Sequence, residues 1–152
     1  MRKANLFAVM AVVMLLAPIA PAAAAKVVLN EIHYHPGDDT RTGEFVELYN
    51  HGVEAADLGS WILRGGIEFF FPSGTTLAAG EYLVIAADPP AIVERYSMDP
   101  RLVIGPYQKT LSNGGENLEL LTGDGYLMSF AHFRDADPWP ETPAGLGPSL
   151  AR

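Results

Sequence analysis

Residues 29–50 constrain the fold more than any other stretch of the chain. Leu29-Asn30-Glu31-Ile32-His33-Tyr34-His35-Pro36 and Glu44-Phe45-Val46-Glu47-Leu48-Tyr49-Asn50 flank a loop at 37–43 built of Gly, Asp, Thr and Arg. Two short apolar–polar alternations around such a loop predict two strands of a β-rich domain. Leu29 and Ile32 both have core character, yet three residues apart they point to opposite faces of a regular strand. A bulge at Asn30 and Glu31 returns both to one face. The other reading of those two polar residues is as ligands.

The N-terminus shortens the part that folds. Arg2 and Lys3 precede an unbroken apolar run at 6–17, and small residues follow, with Ala23-x-Ala25 before Lys26. That is the layout of a secretory signal peptide over residues 1–25, a leader helix cleaved after Ala25 or one residue earlier. A retained anchor is the alternative, but a spanning helix needs roughly 20 apolar residues. The chain has no cysteine, which excludes a lipoprotein anchor and disulfide staples. The expected mature domain, residues 26–152, carries eight Lys and Arg against eighteen Asp and Glu, a net charge of −10. Its basic residues are scattered singly, so a phosphate backbone finds no patch to bind and nucleic acid is not an expected partner. The expected location is secreted or in the cell envelope, with no membrane span after cleavage.

The remaining pattern is strand after strand. Leu58, Trp61 and Leu63 are candidate core residues, and residues 67–71 form an aromatic strand stopped by Pro72. Residues 82–85 are apolar at every position, as expected of a central strand covered on both faces. Asp88 is placed to cap one short helix over 91–96, with proline tolerated in its first turn. Asn113-Gly114-Gly115 predicts a tight turn needing positive φ, and Leu118 and Leu120 alternate as the buried face of the next strand. Gly123-Asp124-Gly125 predicts a hairpin into 126–133.

Three of these stretches carry a resemblance. The pair Leu29 to Pro36 and Glu44 to Asn50, then Asp57-Leu58-Gly59-Ser60-Trp61 with its Gly and Ser exchanged, then Leu111-Ser112-Asn113-Gly114-Gly115-Glu116-Asn117-Leu118-Glu119-Leu120, together resemble a bacterial lamin tail domain. The resemblance runs over about residues 27–150. It implies an all-β, immunoglobulin-like β-sandwich, here with one short helix and an incomplete C-terminal strand. Such domains serve as interaction modules or accompany exported hydrolases. The expected function is therefore a non-catalytic exported binding or structural module that meets a protein or cell-surface partner. The alternative is the N-terminal accessory domain of a larger secreted hydrolase.

Nothing in the sequence assembles catalytic chemistry. There is no cysteine nucleophile and no Gly-x-Ser-x-Gly elbow, and Glu44 and Glu47 would face opposite sides of one strand. Asn113-Gly114-Gly115 lacks the Lys-Ser/Thr ending of a phosphate loop. His33 and His35 share a strand face and, with Glu31, Glu47 or His51, make a zinc half-site the sharper reading and exposed strand-face histidines the plainer one. Asn30, Glu31, Asp38, Asp39, Glu44 and Asp57 are the candidate calcium ligands, against a simple solvated acidic face. No other cofactor is expected. Trp139, with Phe133 and Tyr107, is a candidate exposed aromatic patch; alternatively Trp139 packs across the open end of the sandwich.

Overall fold

A computed structural model describes residues 26–37, 41–135 and 149–151. The leader at 1–25, the calcium candidates Asp38 and Asp39, and Trp139 lie outside them. In chain order the strands are β1 (Val27–His33), β2 (Phe45–Asn50), β3 (Ala56–Asp57), β4 (Ile62–Gly65), β5 (Ile67–Phe70), β6 (Thr76–Leu77) and β7 (Tyr82–Ala86). After helix α1 (Pro89–Tyr96) come β8 (Val103–Ile104), β9 (Gln108–Lys109), β10 (Gly115–Leu121), β11 (Leu127–Arg134) and β12 (Leu150–Ala151). One sheet has the order β12-β1-β2-β7-β8 and the other β11-β10-β4-β5-β9, with β3 and β6 forming a small clasp. The two sheets make the predicted immunoglobulin-like sandwich.

The bulge forms where the spacing of Leu29 and Ile32 requires it. The β1–β2 register shifts between Leu29 and Glu31, so Leu29 faces Leu48 and Ile32 faces Val46. All four side chains are buried in the main core, and Asn30 is the extra residue that makes this possible. Leu58, Trp61 and Leu63 join that core as predicted.

Strand β7 explains its own continuous apolarity. It lies between antiparallel β2 and parallel β8. Leu83 and Ile85 enter the sandwich core, whereas Val84 and Ala86 face the other way, into a second cluster with Phe45, Ile92 and Val103. Helix α1 covers that second cluster. Asp88 caps it by accepting a hydrogen bond from the Ala91 N–H at 3.2 Å, and Ser97 ends it in the left-handed region at φ 52°. Eight residues are too few to hold a helix in isolation, so the burial of Ile92 beneath it sets its stability.

The turn before β10 also follows its sequence. Gly115 sits at φ 98°, and a Cβ there would fall 2.2 Å from the Phe133 carbonyl oxygen, so only glycine fits. Leu118 and Leu120 are fully buried. At the end of the first sheet, among the described residues, β12 pairs Ala151 with Glu31 and Leu150 with Ile32. Among the described residues no helix is long and apolar enough to cross a membrane.

Candidate binding site at the seam between the sheets

Along one side of the sandwich, the edge of the first sheet at β1 and β12 meets β11, the last strand of the second. Ser129 of β11 is buried, and its Oγ accepts the Leu29 N–H of the bulged strand at 3.0 Å. Lys26 O accepts the His51 N–H at 3.0 Å, so residue 26 bonds toward β2 and, by alternation, Leu29 turns its N–H away from β2 toward β11. Beside this bridge opens a groove of about 170 Å³. It is lined by Leu29, Asn30 and Ile32 of β1, residues 130–133 of β11, and Leu150 and Ala151 of β12; all but Asn30 and His132 are apolar.

Strand β11 is the longest in the fold among the described residues, and it pairs on one edge only. Its ladder with β10 runs from Gly115 opposite Arg134 to Leu121 opposite Leu127. No strand pairs with its second edge among the described residues. Ser129 and Phe133 point into the core, and Phe130, His132 and Arg134 project from the outer face. Residues 126–133, Tyr-Leu-Met-Ser-Phe-Ala-His-Phe, contain neither Asp, Glu, Lys, Arg nor proline. Up to Arg134 at its end, an edge of that composition lacks the charges and prolines that usually keep other strands away.

The calcium candidates are drawn to separate tasks. Asn30 Nδ2 donates to Glu47 Oε1 at 2.8 Å, and Glu31 accepts from the Ser149 hydroxyl. Glu31 and Glu47 stand directly opposite across β1 and β2; burial raises the Glu47 carboxyl's pKa, the Asn30 bond opposes the rise, and Glu31 adds to it. Asp57 accepts the Gly59 N–H at 2.8 Å in a local turn. Glu44 is only 4 % exposed, and its Oε2 accepts the Tyr107 hydroxyl at 2.8 Å and the Leu111 N–H at 3.1 Å. Among the described residues, which do not include Asp38 and Asp39, no three His, Cys, Asp or Glu side chains gather in one place.

Two expectations about ring side chains are corrected. His33 is not an exposed strand-face histidine: it is 3 % exposed, its Nδ1 lies 2.9 Å from Gly43 O, and its ring lies 5.1 Å from that of Phe45. Phe133 and Tyr107 belong to no exposed aromatic patch, since both are core residues. Phe133 packs on Tyr34 at 4.7 Å. Tyr107 is held by Glu44 and by Arg41, whose Nη2 donates to Tyr107 O at 2.9 Å and whose Nε donates to Lys109 O at 3.0 Å. Burial and the Glu44 charge together push the Tyr107 phenol's pKa far up.

Residues 117, 129, 132 and 134 did not stand out in the sequence. The signal for the last three was the parity of residues 127–134, which sets 129, 131 and 133 on one face and 130, 132 and 134 on the other; Asn117 on β10 had none. Outside the core, His132 Nδ1 lies 2.6 Å from Asn117 Oδ1, and Arg134 Nε donates to His132 Nε2 at 3.1 Å.

No curated protein matches the chain. The sequence pattern of the lamin tail domain family matches residues 20–132, most of the chain and nearly all of both sheets. That family consists of non-enzymatic, immunoglobulin-like domains. The chain belongs to the lamin tail domain family.

Proposed function

We propose that this protein is an exported, non-catalytic binding module that captures an extended segment of a protein or cell-surface partner by strand addition along the open edge of β11. The observation that carries the reading is that edge: an eight-residue strand with no pairing strand on one side among the described residues, bordering an apolar groove. Its backbone N–H and C=O groups are complementary to another extended strand, and the groove accepts every second side chain of it. The leader pattern at residues 1–25 supports export. The acidity of the chain supports a polypeptide partner over a nucleic acid.

The test uses octapeptides selected from a displayed random library on the intact chain. Ala131→Lys places an inward-facing charge in the groove, the device by which natural edge strands block pairing. It is expected to abolish peptide binding while the melting transition stays cooperative. Phe70→Lys, on an exposed site of β5 away from the groove, is expected to leave binding unchanged. Equal binding by the Ala131→Lys protein would overturn the reading.

A further inference from the structure

The His132 network on the open strand has no structural task in the core, since all three of its side chains are exposed. Arginine only donates, so His132 Nε2, which receives the Arg134 Nε–H, is the unprotonated nitrogen and Nδ1–H donates to Asn117 Oδ1. This chain of bonds holds the guanidinium by its Nε corner. Its two Nη groups make no hydrogen bond or ion pair among the described residues. Other exposed arginines are satisfied differently: Arg64 pairs with Glu119 at 2.7 Å and Arg101 with Asp99 at 2.6 Å. Arg134 is thus a cation positioned by the His132 ring, at one end of the open edge of a chain whose net charge is −8.

We propose, resting on the strand-addition reading, that Arg134 selects the partner: the added strand carries a carboxylate opposite Arg134 and apolar side chains at the alternate positions that face the groove. The charge is complementary and the geometry is suitable, because the two Nη groups, without a partner among the described residues, form the fork that grips a carboxylate bidentately. A second copy of the chain fits less well. In antiparallel self-pairing, Arg134 would meet the stretch 126–133, which offers no carboxylate.

The experiment compares the peptides that the displayed octapeptide library yields on the wild-type chain and on Arg134→Glu and Arg134→Gln, with a thermal melt confirming that each variant folds. Wild type is expected to enrich alternating apolar peptides with Asp or Glu at one fixed offset. Changing that residue to Gln or Asn should weaken binding about fivefold, as for one exposed charge pair. Arg134→Gln should lose the acidic preference, and Arg134→Glu should replace it with Lys or Arg. Alternating peptides with no acidic position on wild type would overturn the role of Arg134 and leave strand addition standing. Enrichment of no extended peptide at all would overturn both, and a concentration-dependent dimer that excludes peptide would replace the acidic partner with a second copy.

Discussion

Ser129 Oγ accepts the backbone N–H of Leu29 at 3.0 Å, and this buried bond ties the bulged strand of one sheet to the open edge strand of the other. Replacing Ser129 with Ala leaves a buried N–H without a partner. The expected loss is about 1–3 kcal/mol, read from chemical denaturation, whereas an unbonded serine would give a nearly neutral substitution.

Tyr34 is the opposite case a few residues along. Its side chain is 1 % exposed, packs on Phe133, and its hydroxyl has no hydrogen-bond partner among the described residues. Tyr34→Phe removes a desolvated hydroxyl and keeps the ring contact, so stability should stay level or rise by up to about 1 kcal/mol. A loss of 2 kcal/mol or more by denaturant melt would show that the hydroxyl is bonded in the folded protein.

Glu44, Glu47 and Glu116 all have carboxyl groups whose pKa is raised by burial above the usual 4.5. Such groups bind a proton more tightly folded than unfolded, so stability rises as pH falls through the raised folded values toward about 4.5 and is lost as pH climbs back. For Glu44, burial outweighs the opposing Tyr107 and Leu111 hydrogen bonds and the nearby Arg41 charge. Melts between pH 7 and 5 should therefore show increasing stability, with a shallower slope in Glu44→Gln. A slope unchanged by that substitution would remove Glu44 as a contributor.

Trp61 is 7 % exposed within the main core, and its backbone is fixed by bonds to Leu58 O at 2.9 Å and from the Phe71 N–H at 3.0 Å. Trp61→Ala should cost about 3–5 kcal/mol as a large-to-small core truncation. Retention of the full melting temperature would contradict its place in the core.

What could be read from the sequence was local. The odd spacing of Leu29 and Ile32 called for a bulge, the unbroken run at 82–85 called for a strand covered twice, and Asp88 called for a cap; each follows from neighbouring residues. The helix starts at Pro89 instead of 91 because both prolines fit its first turn. The seam was not legible because it is made by distant partners. Leu29 meets Ser129 and Glu44 meets Tyr107 only after both sheets have closed. Tyr107 and Phe133 looked available to solvent because an aromatic beside polar neighbours reads as surface. Burial of the Glu44 carboxylate was likewise invisible, since its compensating donors lie more than sixty residues further on.

The most direct measurement is residue-resolved amide hydrogen exchange of the intact chain, alone and with a library-selected octapeptide. Strand addition predicts new protection at alternate amides within residues 128–134, with little change on the helix-covered face of the first sheet. Tight binding with no added protection along β11, or with protection confined to the first sheet, would contradict it.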